Sequence, residues 1–134
     1  MKKLLVAFMA VLLLAACGEK KEVVKTPGDV LTLTSNVFES AAAKMEVAEN
    51  ADDIINAMEE MNDKIKSFDE KYNDIMAELE NMEDAQVEEM YSKEVEALNA
   101  AFVRYYEVMM AKMELMENLT PEQQERWEEL LSVE

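Results

Sequence analysis

Histidine is missing from this 134-residue chain, and glycine, proline and cysteine are scarce, with two, two and one copies. Without an imidazole, His-based acid–base chemistry, Ser-His-Asp triads and the common His-ligated metal sites are excluded. The single cysteine, Cys17, permits no intrachain disulfide. Bases are also few: 13 against 30 acids, for a net charge of −17. Such an acidic chain repels phosphate backbones and anionic head groups, which argues against nucleic acid and favours basic partners or cations. A solvated surface kept soluble by its charge explains the same balance. Carboxylate-only catalysis needs a pair of acids set apart from the rest, and no pair stands out. The chain therefore reads as non-enzymatic, with no catalytic residue, cofactor or metal.

What is present begins with Met1-Lys2-Lys3, followed by an apolar run over residues 4–16. Two lysines and 13 apolar residues make the first two regions of a secretory signal. The run falls short of the ~20 residues of a membrane span. It ends Leu14-Ala15-Ala16-Cys17-Gly18, which resembles the lipobox of bacterial lipoproteins. That resemblance implies cleavage before Cys17 and a diacylglycerol on its thiol, so that membrane lipid holds the protein through acylated Cys17. Several acyl chains on one residue give stable anchoring where one is marginal. Gly18 stands where inner-membrane lipoproteins carry Asp, so the resemblance favours the outer membrane, with the periplasmic or surface face open. Losing residues 1–16 removes two lysines and no acid, taking the net charge from −17 to −19.

Residues 17–29 read as the lipidated Cys and a charged tether closed by Pro27-Gly28, and residues 30–134 as one helical domain carrying 27 acids and 8 bases. From Asp29 to Thr120, 92 residues contain neither Gly nor Pro and are rich in Ala, Glu, Met, Lys and Leu. That composition favours helix. The spacing predicts a first helix over about 30–49, capped by Asp29, and a second over about 52–82. In the second, Ile54, Met58, Met61, Ile65, Phe68, Tyr72, Ile75, Leu79 and Met82 alternate four and three apart, the seam of coiled-coil packing. A third, about 85–118 and capped by Asp84, repeats the device with Tyr91, Val95, Leu98, Phe102, Tyr105, Met109, Met113 and Met116. A fourth, about 121–132, offers Trp127, Leu130 and Leu131. The fold class is all-α: an antiparallel hairpin or bundle of three long helices plus a short C-terminal helix.

At 1.5 Å per residue the second and third helices reach roughly 46 and 51 Å, the first only about 30 Å. Helices one and four then cover one end of the hairpin. The tip is left with Ile75, Met76, Leu79, Met82, Val87, Met90 and Tyr91 facing each other under two helices alone. An uncovered apolar seam means a partner, a second copy or a disordered tip, and a homodimer or protein-client contact is expected there.

Ten methionines remain after residue 16, densest over Met109-Met110-Ala111-Lys112-Met113-Glu114-Leu115-Met116. Core packing, an adaptable client surface and soft-sulfur Cu(I) binding each suit such a cluster. Acids such as Asp52-Asp53 and Glu78, Glu80, Glu83 and Asp84 lack calcium-loop spacing and suit helix starts.

Leu119-Thr120-Pro121-Glu122-Gln123 satisfies the rules for a helix start, with Thr120 as N-cap, Pro121 at the first position and Gln123 closing a capping box. The same stretch resembles the Leu-Thr-x-x-Gln signature of the Spy/CpxP family of periplasmic chaperones and stress sensors. The resemblance rests on Leu119, Thr120 and Gln123. It implies a small exported all-α protein whose bent hairpins dimerise into a cradle for unfolded clients. The family pattern has two copies; the other candidate, Leu33-Thr34-Ser35-Asn36-Val37, has Val where Gln belongs. The reading is a membrane-anchored envelope lipoprotein that binds without catalysing, holding unfolded or apolar clients. The alternative is a structural or assembly adaptor that binds one dedicated partner through its acidic helical surface.

Overall fold

A computed structural model describes residues 24–132. The signal segment, the lipobox-like stretch, Cys17 and most of the tether lie outside them. The described residues are all-helical, 83% helix with no strand. The helices are α1 (Pro27–Glu46), α2 (Ala51–Lys71), α3 (Asn73–Glu80), α4 (Asp84–Met90), α5 (Ser92–Ala111) and α6 (Pro121–Leu131), with a 3-10 turn at Met113–Met116 between the last two.

Helix α1 starts three residues before the expected point. Thr26 is its N-cap: the hydroxyl accepts from the Asp29 N–H at 3.3 Å, and the Asp29 carboxylate accepts from the N–H of Thr26 at 3.1 Å. Asp29, expected as the cap, is thus the third residue of a capping box. Its carboxyl also accepts from the Lys25 N–H at 2.9 Å, the largest cause of a pKa below the ordinary value. Pro27 and Gly28, read as the end of a tether, form the first turn and are buried. At α2 the cap is Asn50, whose side chain accepts from the Asp53 N–H at 3.0 Å. At α4 the cap is Glu83 in a box with Gln86, rather than Asp84.

The two longest expected helices are each divided at a tyrosine. Tyr72 (φ −122°, ψ 28°) separates α2 from α3, and Tyr91 (φ −130°, ψ 36°) separates α4 from α5. Backbone bonds bridge both joints: Tyr72 N–H to Phe68 C=O and Tyr91 N–H to Val87 C=O, each 2.8 Å. The helices break there without Gly or Pro; the Tyr72 ring lies against Phe68 of α2, and Tyr91 has a partner far along the chain. Tyr91 lies over Gly28, so close that a Cβ on residue 28 would stand 2.7 Å from the ring.

Packing centres on α1. Its most extensive neighbour is α5, followed by α2, and its N-terminal half also reaches α3. Along α1 and α5 the partners rise together: Gly28 with Tyr91, Phe38 with Phe102 and Tyr105, Glu39 with Arg104, and the Ala48 C=O with Lys112. These two helices run parallel. Likewise α6 runs parallel to α2, with Gln123 on Asp52 and Arg126 on Asn56 and Glu59. The backbones of α2 and α5 hardly approach each other. The expected pairing of the second and third helices is therefore replaced by α1 packing on both. Small residues fit this close approach: Ser35 and Ala42 on α1 and Ala101 on α5 are all buried, and small side chains let backbones come close.

The main core cluster sits at one end, while Pro27, Val30 and Leu31 at the start of α1 are buried outside it. Val37, Ala41, Ala42 and Met45 from α1, Ile54, Ala57, Met58 and Met61 from α2 and Tyr105 from α5 form one cluster, with Trp127 and Leu130 of α6 against it. No residue from 62 to 100 is fully buried.

Candidate functional site

Thr120 and Gln123 are engaged within the fold. The Thr120 hydroxyl accepts from the Gln123 N–H at 3.2 Å, and the Gln123 Oε1 accepts from the Thr120 N–H at 2.9 Å. Gln123 Nε2 then donates to Asp52 at 3.1 Å, tying the start of α6 to the start of α2. Leu119 is half-buried beside them. Capping and one inter-helix bond thus use both ends of the Gln123 amide.

One turn further along α6, Arg126 grips α2. Its Nε and Nη2 donate to the two oxygens of Glu59 at 2.9 and 2.7 Å, and Nη2 also reaches Asn56 at 2.7 Å. This forked bond holds the Glu59 carboxyl below its ordinary pKa against an opposing desolvation, and raises that of Arg126. On the other side Arg104 bridges Glu39 and Glu46 of α1, which raises its pKa, with Glu46 the larger cause. Lys44 and Lys64 both meet Glu60, and these bonds, led by Lys44, lower the Glu60 pKa. Every ion pair among the described residues belongs to this closed end.

The other end, called the arm below, holds α3, α4 and the residues around them. Residues 69–96 hold eleven acids and two bases, and none of these forms an ion pair among the described residues. Ile75, Met76, Leu79, Met82, Val87 and Tyr91 are half-buried, and Met90 is exposed. Contact between α1 and α3 and the seat of Tyr91 on Gly28 give this seam more cover than two helices alone supply. The barest stretch lies around residues 81–90.

A second apolar surface lies on α5, where Phe102, Val103, Tyr106 and Met110 are each at least half exposed, and Met113 continues the row at 42%. Sequence reasoning placed Phe102 and Met113 in a buried seam, weighed Met110 only within the methionine cluster, and passed over Val103 and Tyr106. A signal was available: residues 102, 103, 105, 106, 108, 109 and 110 are all apolar, too wide an arc for one seam. Met109 and Met116, by contrast, pack against the core.

No described helix is long and apolar enough to cross a membrane. Comparison with family models, with curated proteins and with solved structures returns no match.

Proposed function

We propose that the chain is a lipid-anchored, non-enzymatic binding protein of the bacterial cell envelope, tethered through Cys17 and presenting its arm to polypeptide clients in the manner of a Spy-like holding protein. The observation that carries this reading is the asymmetry of the fold. The main core cluster and the ion pairs gather at one end, while the arm keeps an incompletely covered apolar seam among acids that form no ion pair among the described residues. Apolar side chains rich in methionine adapt to varied client surfaces, and unpaired carboxylates favour basic clients. The finer architecture we infer is a bundle closed at the α1/α2/α5/α6 end with the bent α3–α4 arm projecting from it.

In the Leu-Thr-x-x-Gln stretch, Thr120 and Gln123 are accounted for by capping. A dedicated adaptor role is favoured by the unpaired acids alone and makes a different prediction. The test is suppression of aggregation. A holding protein at near-stoichiometric ratio suppresses several unrelated unfolded proteins, and Met90→Asp with Leu79→Asp weakens all of them. Activity toward none or only one of the clients would leave the adaptor reading. For the anchor, Cys17→Ala releases the protein from membranes; firm retention would overturn it.

A further inference from the structure

We infer that the outward face of α5 is a docking site for a cationic amphipathic helix, distinct from the arm. Val103, Tyr106 and Met110 follow one another at intervals of three and four, with Phe102 alongside, so they form one stripe down about two turns of α5, and exposed Met113 in the 3-10 turn follows its end. Such spacing matches the apolar stripe of another helix better than an extended strand or an irregular loop. From Phe102 to Met110 the stripe is about 12 Å long at 1.5 Å per residue, room for two turns of a partner.

Charge decides between possible occupants. Glu107 flanks the stripe on α5 and Glu114 follows its end in the 3-10 turn, both exposed and without an ion pair among the described residues. The two bases nearest the stripe are turned away: Arg104 is held by Glu39 and Glu46, and Lys112 donates to the Ala48 carbonyl. An apolar stripe with these acids beside it is complementary to a helix whose apolar face is flanked by Lys or Arg. A second copy would set acid against acid, and an anionic membrane surface would be repelled. Methionines at two of the positions let the face adjust to differing side chains.

This inference is independent of client holding by the arm, and the experiment separates the two. A fluorescein-labelled helical peptide of Leu and Lys, about 14 residues or four turns, is titrated against the full chain by fluorescence anisotropy. Two control peptides share its length: one with every Lys replaced by Glu, the other with the same composition scrambled to erase the apolar face. Binding of the cationic helix with a dissociation constant on the order of 10 μM is expected, and neither control should approach it. Met110→Asp should weaken binding at least about tenfold, the loss of one well-buried anchor, while the exposed arm variant Met90→Asp leaves it unchanged. Glu107→Gln with Glu114→Gln should weaken it about three- to tenfold and flatten its salt dependence. Because these side chains are exposed, circular dichroism should show the variants folded as the parent. Absence of binding, equal binding of either control or equal loss through Met90→Asp would overturn the proposal. So would sedimentation showing a dimer that Met110→Asp dissociates, because a second copy would then own the face.

Discussion

Gly28 is held to glycine by a neighbour, since a methyl group there would stand 2.7 and 3.0 Å from the Cδ1 and Cε1 of Tyr91. Replacing a helical Gly by Ala ordinarily stabilises by about 0.5–1 kcal/mol. Overpacking against a ring costs about 1–3 kcal/mol, so the clash wins and Gly28→Ala should destabilise the fold. In a Tyr91→Ala background the clash is gone and the same change should stabilise. Urea denaturation of the four-member cycle reads this sign reversal; equal effects in both backgrounds would show that Tyr91 does not press on Gly28. Nothing in the sequence pairs residue 28 with residue 91, which is why Pro27-Gly28 reads as a linker and Asp29 as a cap. Position 120 is the opposite case, where a local rule suffices. Thr120, Pro121 and Gln123 predict their own hydrogen bonds from spacing alone, and the structure forms them. Thr120→Ala should cost about 1 kcal/mol in the same assay, the usual loss for a missing cap.

Helix α5 shows where pattern reading goes astray. Its four–three series includes Tyr105, which is buried at 6% exposure, but also Phe102 and Met113, which are exposed, and it omits Ala101 at 1%. The series assumes a neighbour at coiled-coil distance, whereas the nearest neighbour is α1, approached closely through small residues. That turns the buried side toward Ala101 and leaves Phe102 half exposed. The breaks at Tyr72 and Tyr91 were invisible for a related reason, since helix propensity is continuous through both. Helix content, the start of α6 and the concentration of apolar seams were legible, because these are local or periodic properties. Burial predicts how stability is distributed among the helices. Ile55 of α2 is fully buried, so Ile55→Ala should cost about 2–5 kcal/mol, whereas half-buried Leu79 in α3 should cost clearly less. Amide exchange should agree: α1 and the first half of α2 should open only with the whole domain, α3 and α4 by local unfolding. Uniform protection along the chain would contradict the one-ended core.

The molecule carries its charge unevenly, and that sets how it should respond to acid and salt. Two effects oppose each other. Hydrogen bonds from Arg126 and Lys44 hold Glu59 and Glu60 below their ordinary pKa, so their stabilisation is complete above the carboxylate range. It is lost as pH falls through the lowered folded-state values. The surplus of 27 acids over 8 bases on residues 30–134 acts in reverse, because self-repulsion grows as carboxylates ionise. The ion-pair carboxylates have side chains 37–61% exposed, and pairs so accessible to water contribute little each. Repulsion should therefore dominate near neutrality. Stability is expected to rise as pH falls from 7 toward the carboxylate range and repulsion fades, then to fall once pH drops through the lowered values of Glu59 and Glu60. Salt tests the balance at fixed pH. If repulsion dominates, raising NaCl from about 0.05 to 0.5 M at pH 7 screens more repulsion than attraction. A gain of roughly 1 kcal/mol would move the melting temperature of a domain this size up by about 4–8 °C. Differential scanning calorimetry measures it directly, and a melting temperature that falls with salt would mean that the ion pairs of Arg104, Arg126 and Lys44 outweigh the acid surplus. The arm gives the same argument a local form, since its eleven acids face two bases. A cationic polypeptide bound there would relieve the repulsion that salt only screens, so it should raise the melting temperature most at low ionic strength and little at high.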